Sequence, residues 1–401
     1  MKRNKLIVCG GGIIGATIAR EAALSKKFTD ISVIEKDDQL GLHSTTRNSG
    51  VIHAGFYYSP ESKKAKFCNK GNILMRDYCI KNKIKINKCG KVVITKDDLQ
   101  EKILFELYNR GIENGCNLQL LDKNKLTDYE PLANTYKNFL WSPNTWSASP
   151  QELFDCLINE CKNLDIKFIS GEKIVSAGSN SLKTAKKNEF YFDYFINSCG
   201  GYALEVAKIF GISTDYKLLP FKGLYLKSLK KIKKFSRHIY PVPDINQPFL
   251  GIHTTITSDY FLKLGPTAIP VFSPENYNLF EGLEFNLSGE ILLLQLNLLA
   301  KNEFGFRDLA LREIQYLLKE NILRKAMELT NVNLRDIEFS WHSPGIRPQL
   351  YNVASKKLEN DFVLINKENT YHILNSISPA WSCSFMSAKK IINDIVSELN
   401  S

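Results

Sequence analysis

A glycine-rich turn between a short apolar strand and a helix restricts the fold of this chain more than any other feature. Residues 5–9 read as a buried strand, Gly10-x-Gly12-x-x-Gly15 as the turn, and residues 16–24 as the helix it opens. Gly10 permits the turn, Gly12 lets backbone approach a pyrophosphate, and Gly15 lets the helix lie close on the sheet. The N–H groups of the first helical turn, from Gly12 through Ile13 and Ile14, then point at a phosphate, with the positive end of the helix dipole behind them. A second strand, 31–34, ends at Glu35, about twenty residues beyond the glycines, where a carboxylate accepts hydrogen bonds from ribose hydroxyls. Lys36 follows it directly.

Strand, turn, helix, strand and acid in this order make a dinucleotide site, where an isolated glycine pattern would be any tight turn. The fingerprint alone does not separate FAD from NAD. FAD is favoured because the motif stands at the start of the chain and is followed by His43-Ser44-Thr45-Thr46-Arg47-Asn48-Ser49-Gly50-Val51. Small hydroxyl and amide side chains of this kind line a second phosphate and the ribityl chain. Another strand–glycine–helix junction, Ser198-Cys199-Gly200-Gly201 after an apolar strand at 191–197, suits close approach of backbone to a cofactor.

At 401 residues the chain exceeds the size at which one core keeps growing, so two domains are expected. The formal charge of +11 could draw nucleic acid or an acidic membrane, but no nucleic-acid motif accompanies it. Only the run 227–238, KSLKKIKKFSRH, concentrates it, and that reads as a solvated loop or strand edge, with peripheral contact to an anionic membrane as the minor alternative. The nine cysteines form no CxxC pair and no metal spacing, which implies reduced, mostly buried thiols in a cytoplasmic protein. The basic and apolar start imitates a signal peptide, yet its apolar stretch is used by the nucleotide fold, so targeting is not expected. No segment reaches the ~18 uninterrupted apolar residues of a membrane span; 291–300 is expected to be a core helix or strand.

Helical spacing marks 63–82, 99–114 (Leu99, Ile103, Leu104, Leu107 and Ile112 on one side), 150–164 (Leu153, Phe154, Leu157 and Ile158 buried) and 309–326. Strands are expected at 91–95, 167–169 and 173–176, and short alternating strands with Pro and Gly turns over 218–265. Gly/Pro/Ser junctions at 343–348 and 376–384 precede a closing helix at 388–399.

Taken together, these residues resemble a known family. Thr45 to Tyr58, TTRNSGVIHAGFYY, with Pro60-Glu61-Ser62, Lys64-Ala65-Lys66 and Cys89-Gly90-Lys91, resembles the L-2-hydroxyglutarate dehydrogenase/oxidase group within the glycine oxidase and D-amino-acid oxidase superfamily of FAD enzymes. The likeness continues in Pro220-Phe221-Lys222-Gly223-x-Tyr225, in Ile239 to Asp244, in Pro248 to His253 and in Leu264-Gly265-Pro266. Near the end it takes in Gly345-Ile346-Arg347-Pro348-Gln349, Asp361-Phe362 and Asn375-x-x-Ser378-Pro379-Ala380, so it spans essentially the whole chain.

The resemblance implies an α/β protein, α+β overall, with a Rossmann-like βαβ FAD-binding domain from 1–90, 150–215 and 340–401. It would be interleaved with a mostly antiparallel substrate domain from 91–149 and 216–339. FAD contacts would come from the first turn and its acid, from 44–51, and from Lys173, Cys199, Gly200, Gly345, Pro379 and Ala380. The implied reaction is oxidation of a 2-hydroxy acid, L-2-hydroxyglutarate first, by hydride transfer from Cα to flavin N5, with oxygen or a quinone taking the electrons. It needs a base, for which His53 is the first candidate and His253 the second, because the imidazole pKa lies near working pH. A hydrogen-bonded structural histidine is the alternative for either. Arg347 is the carboxylate clamp, since a planar guanidinium binds a carboxylate through two parallel hydrogen bonds, with an interdomain ion pair as its alternative role. Tyr225 and Tyr57 offer hydroxyl donors or plain packing. Against the group's pattern stand Thr46-Arg47, Leu224 in place of an acid, and Trp381 in place of a small residue, changes expected to reshape the pocket. They leave open another hydroxy acid or amino acid as substrate, and a non-catalytic flavin-binding subunit.

Overall fold

The computed structural model describes residues 4–243 and 249–400. Asp244 and Pro248 of the family-like motifs, and the first three residues, lie outside the described residues. Two sheets organise the molecule. The first runs Leu364–Lys367, Thr370–Ile373, Tyr194–Asn197, Lys5–Cys9, Asp30–Ile34, Lys167–Ile169, parallel throughout except at the Leu364–Lys367 edge. Helices and side chains cover both faces of this strand, which explains why it is apolar without a break from Leu6 to Cys9. Leu6 and Val8 pack with helices Ile13–Ser25, Pro150–Asn163, Lys63–Lys81 and Ala380–Asn400 on one face, while Ile7 and Cys9 pack with Ile174, Leu182, Phe195 and Val206 on the other. Helices Lys63–Lys81 and Ala380–Asn400 cross at Gly71, where a Cβ would stand 2.6 Å from the Ser382 carbonyl oxygen.

The second sheet is built on one long antiparallel pair, Tyr216–Lys231 with Phe339–Asn352. It continues through Phe261–Gly265, His253–Ile256, His238–Pro241, Lys91–Ile94, Asn138–Ser142 and Gln119–Asp122, with a single parallel contact, His238–Pro241 to Lys91–Ile94, among the described residues. A bulge between Gly223 and Tyr225 shifts the register of the long pair by one residue; on its Gly223 side Arg347 stands opposite Phe221 and Gly345 opposite Gly223.

Several local expectations change for identifiable reasons. Of the short strands expected over 218–265, His238–Pro241, His253–Ile256 and Phe261–Gly265 are present, but the first is the long strand Tyr216–Lys231, and the expected junction at 343–348 lies inside its long partner, because each supplies the other with hydrogen-bonded pairing. The closing helix starts at Ala380, one turn and more ahead of its apolar periodicity, which puts Trp381 in its first turn. The helix expected at 309–326 is two, Phe306–Ile314 and Lys319–Met327, separated by an extended Leu318. The strand expected at 191–197 divides into Glu189–Tyr191, in a small separate sheet, and Tyr194–Asn197. In Asp98–Glu113 the buried stripe is Ile103, Leu104 and Leu107, and Leu99 and Ile112 fall outside it at 100° per residue, 63% and 48% exposed. The 291–300 stretch belongs to helix Phe285–Lys301, which is only half a core helix: Leu287, Ile291, Leu294 and Leu298 face inward while Leu292, Leu293 and Leu296 face out.

Gly71→Val tests the helix crossing. Overfilling it is expected to cost about 1–3 kcal/mol, seen as a lower midpoint in thermal denaturation; an unchanged midpoint means that the two helices do not depend on this contact.

Candidate active site

The carboxyl ends of Lys5–Cys9, Asp30–Ile34 and Tyr194–Asn197 open onto a cavity of about 830 Å³ that extends to the face of the second sheet at Tyr225 and Arg347. Crevices at this end of parallel strands are where open α/β sheets bind ligands. At its near end Gly10 takes a φ of +105° with its Cβ position 2.5 Å from the Ser198 carbonyl oxygen, so no other residue fits the turn. A Cβ on Gly12 would stand 2.9 Å from the Thr45 hydroxyl, and one on Gly15 only 2.0 Å from the Gly10 carbonyl oxygen. Thr45 Oγ1 accepts the Ile13 N–H at 3.0 Å, which ties the Ser/Thr turn to the start of the helix. Glu35 accepts the Gly11 N–H at 2.7 Å and the Asp37 N–H at 3.0 Å, one on each carboxylate oxygen. Its remaining lone pairs are available to vicinal hydroxyls, and the cradle of bare backbone at Gly10 and Gly12 suits a pyrophosphate. The donor set therefore fits FAD.

A group of charges crosses the edge of this cavity. His43 bonds Asp37 Oδ2 at 2.8 Å and Tyr277 Oη at 2.9 Å, and Lys36 contacts Asp37 at 2.7 Å and Glu275 at 2.5 Å. Burial opposes the imidazolium, but Asp37 and Glu275 outweigh it and raise His43 to about 9. For Asp37 burial likewise opposes the charge, and His43 with Lys36 overcome it, holding the carboxyl down to about 2. The pair of loops at 36–43 and 275–277 is thus clasped across the cavity mouth by ion pairs.

At the far end the residues are buried or half-buried and short of partners. The Arg347 guanidinium lies 5.1 Å from the Phe249 ring centre, and its Nη1 is buried without a hydrogen bond. The Glu313 carboxylate acts on it but accepts the Ala268 N–H through Oε2 at 2.6 Å. A buried cation without an anion is costly, so Arg347 calls for an anionic ligand. His53 is held by its backbone: its N–H donates to Ser382 Oγ at 2.9 Å and its carbonyl accepts from Asn72 Nδ2 at 3.1 Å. Burial, reinforced by the Lys91 ammonium, pushes its imidazole down to about 3. Burial also holds His253 well below the usual histidine range, against the opposing pull of the Gly251 carbonyl. His253 Nδ1 lies 2.9 Å from that carbonyl, to which only an N–H can donate, so its Nε2 carries the lone pair. Tyr225, with a hydroxyl that burial keeps protonated, completes this wall.

Of the residues singled out from sequence, His53, Arg347, His253 and Tyr225 share the cavity lining with Gly10, Gly12, Ile13, Ile14, Glu35, Lys36, Ser44, Thr45, Arg47, Asn48, Ser49 and Val51. Lys173, Cys199, Gly200, Gly345, Pro379 and Ala380 line it too, Lys173 with its ammonium paired to Glu284 at 2.9 Å. Gly15 and Gly50 lie off the lining: a Cβ on Gly50 would stand 2.6 Å from the Ala148 carbonyl oxygen, so both glycines serve backbone packing. Trp381 and Arg47 face the cavity, whereas Leu224 does not, which removes that departure from the pocket wall. Sequence reasoning missed Tyr240, Glu275, Tyr277 and the amine of Lys91, which sits 4.4–4.5 Å from the rings of Phe56, Tyr57 and Tyr240. An isolated aromatic or lysine in a strand carries no local signal of such a site.

The clasp makes a pH prediction. His43 gains its partners on folding, so its contribution is complete below the unfolded imidazole value of about 6.5 and is lost as pH rises through about 9. Asp37 acts at the other end, contributing above about 3.9 and losing its effect as pH falls through about 2. The gap in thermal midpoint between the unsubstituted protein and His43→Gln should therefore be largest near pH 6 and close above pH 9. A gap that is constant from pH 6 to 10 would mean that the ion pairs do not stabilise the clasp.

The model of the family described as FAD dependent oxidoreductase, DAO, matches residues 5–393. The chain is 30% identical over 414 residues to a mitochondrial L-2-hydroxyglutarate dehydrogenase of Caenorhabditis briggsae, covering 99% of this chain and 94% of that protein. It is 27% identical to L-2-hydroxyglutarate dehydrogenase of Escherichia coli K12, over 97% of this chain and 92% of the relative. Among solved structures, FAD-bound L-alpha-glycerophosphate oxidase of Mycoplasma pneumoniae superposes with a TM-score of 0.71 at 20% identity, over 100% of this chain and 96% of that one. Glycine oxidase of Geobacillus kaustophilus gives a TM-score of 0.71 at 16% identity, over 99% of this chain and 95% of that one, a likeness of fold. With its glycine turn, acid and cavity in place, the chain belongs to the DAO family of FAD-dependent oxidoreductases.

Proposed function

We propose that this enzyme oxidises the hydroxyl-bearing carbon of a 2-hydroxy acid, with L-2-hydroxyglutarate as the substrate and 2-oxoglutarate as the product. The observation that carries the reading is the buried Arg347 guanidinium, unpaired and facing the same cavity as two uncharged histidines. The names of the relatives supply the particular acid.

In this reading segments 1–90, 150–215 and 340–401 hold FAD, and 91–149 with 216–339 carry the substrate face. Gly10 and Gly12 would expose backbone to the pyrophosphate, Glu35 would take the ribose hydroxyls, and Ser44, Thr45, Arg47, Asn48, Ser49 and Val51 with Cys199, Gly200, Gly345, Pro379 and Ala380 line the rest of the cavity that FAD would fill. FAD, when bound, supplies the two-electron acceptor. Arg347 binds the carboxylate next to the reacting carbon through paired N–H donors, and Tyr225 adds a hydroxyl donor beside it. His53 takes the hydroxyl proton. Burial keeps that imidazole uncharged, with a nitrogen lone pair free for the proton, and also makes it a weaker base than the near-neutral imidazole expected from sequence. His253, with its lone pair on Nε2, is the second candidate for the same role. Burial excludes water and strengthens both contacts.

The electrons leave to oxygen or a quinone, and peripheral membrane contact belongs to the same reading. The outward stripe of Phe285, Leu293 and Leu296, 96%, 70% and 53% exposed, supports that contact better than the basic run 227–238, in which His238 is buried. A second reading, another hydroxy acid or an amino acid, is favoured by Arg47 and Trp381, since both departures from the family pattern line the cavity.

Anaerobic addition of L-2-hydroxyglutarate to the purified yellow protein should bleach the flavin absorbance rapidly, while its D isomer, lactate, malate, glycine and sarcosine should not. Bleaching by one of the others alone reassigns the substrate, and bleaching by none favours a non-catalytic flavoprotein.

A further inference from the structure

Six cations and six carboxylates line the cavity, but they are not matched pair for pair. Among the described residues six lysine and arginine side chains line it: Lys36, Arg47, Lys64, Arg110, Lys173 and Arg347. Lys36 is paired with Asp37 and Glu275, and Lys173 with Glu284. Arg47 donates Nε to the Leu42 carbonyl and stacks 4.2 Å from the Tyr277 ring centre, and Arg110 donates to the Tyr57 carbonyl at 3.1 Å. Arg347 and Lys64 remain. Lys64 is 6% exposed, and its ammonium has no hydrogen bond or ion pair among the described residues, only the faces of Tyr58 and Phe362 at 5.6 and 5.9 Å.

The carboxylates that face Lys64 are committed elsewhere. Asp361 accepts the backbone N–H groups of Lys63, Lys64 and Phe362 at 2.8–3.0 Å, and Glu359 accepts the Tyr216 hydroxyl and the Asp361 N–H, both at 3.0 Å. Lys64 adjoins Tyr58, Tyr57 and Tyr240 both hold their rings 4.5 Å from the Lys91 amine, and Tyr57, Tyr58, Tyr240 and Tyr225 line the same cavity as Arg347. One tyrosine wall thus links the two unpaired cations.

We propose that Lys64 is a specificity-determining residue that binds the far carboxylate of a dicarboxylic 2-hydroxy acid, while Arg347 binds the carboxylate beside the reacting carbon. The assignment rests on the substrate reading above and goes beyond it. It states why a five-carbon diacid is preferred to a monoacid of the same length: an uncharged tail leaves a buried ammonium without a partner.

The test compares L-2-hydroxyglutarate with L-2-hydroxyvalerate, equal in chain length but ending in a methyl group, in the FAD-loaded enzyme and in Lys64→Met and Lys64→Arg. Lys64→Met should lower kcat/KM for the diacid about 100-fold and leave the value for the monoacid within about threefold, with FAD content unchanged. Lys64→Arg, which keeps the charge, should retain most of the preference for the diacid and guards against a folding defect in the first variant. An equal fall on both substrates, or no change on either, overturns the assignment alone. No turnover of L-2-hydroxyglutarate by the unsubstituted enzyme overturns the substrate reading, and the Lys64 assignment with it.

Discussion

The site depends on one close approach between the second sheet and the Ser/Thr turn. A Cβ on Gly345 would stand 2.2 Å from the Arg47 carbonyl oxygen, and Ser44 Oγ donates to the Ile346 carbonyl at 3.1 Å. The strand that bears Arg347 is therefore seated directly on the Ser/Thr turn, and that turn is itself fixed to the phosphate-binding helix by Thr45. Three segments far apart in sequence become one rigid unit. The cation two residues beyond Gly345 acquires a set position relative to the dinucleotide cradle, which is what an enzyme holding a substrate against a cofactor needs.

Around this unit the polar groups are divided in a consistent way. Near the glycine turn they are satisfied by the protein: Glu35 by two backbone amides, His43 by Asp37 and Tyr277. At the opposite end they are left wanting: Arg347 Nη1, Tyr57 Oη and Trp381 Nε1 are buried without a hydrogen bond. Buried polar groups are almost always paired in folded proteins, so a cluster of orphans in one chamber marks where a ligand completes the structure. The neutral histidines share the same cause, because the burial that leaves Arg347 in need of an anion also keeps His53 uncharged while lowering its basicity.

Much of this was legible in the sequence, and for physical reasons. Glycines 10, 12 and 15 declare their turn because no side chain fits there, and the helix Pro150–Asn163 was readable because Leu153, Phe154, Leu157 and Ile158 keep helical period on a single buried face. What periodicity could not give was the partner of each strand. Gly223, Gly345, Pro220 and Pro348 look like breaks in isolation, and only their mutual pairing makes two long strands of them. Helix Phe285–Lys301 misled in the opposite sense, being apolar on two opposite faces where burial needs one. Of the candidate site, residues in or beside glycine motifs were readable; Lys64, Tyr240, Glu275 and Tyr277 were not, since their meaning lies in what tertiary contacts leave unpaired or bring across the cavity.

The most direct test of this account is the affinity of the FAD-loaded enzyme for glutarate, a diacid with no hydroxyl to oxidise, followed by the change in flavin absorbance on binding. Glutarate should perturb the flavin spectrum of the unsubstituted enzyme, and Arg347→Met should weaken its binding about 100-fold while FAD remains bound. Equal affinity in the two proteins would show that the buried guanidinium is a structural cation, contradicting the claim that the chamber is built around a carboxylate.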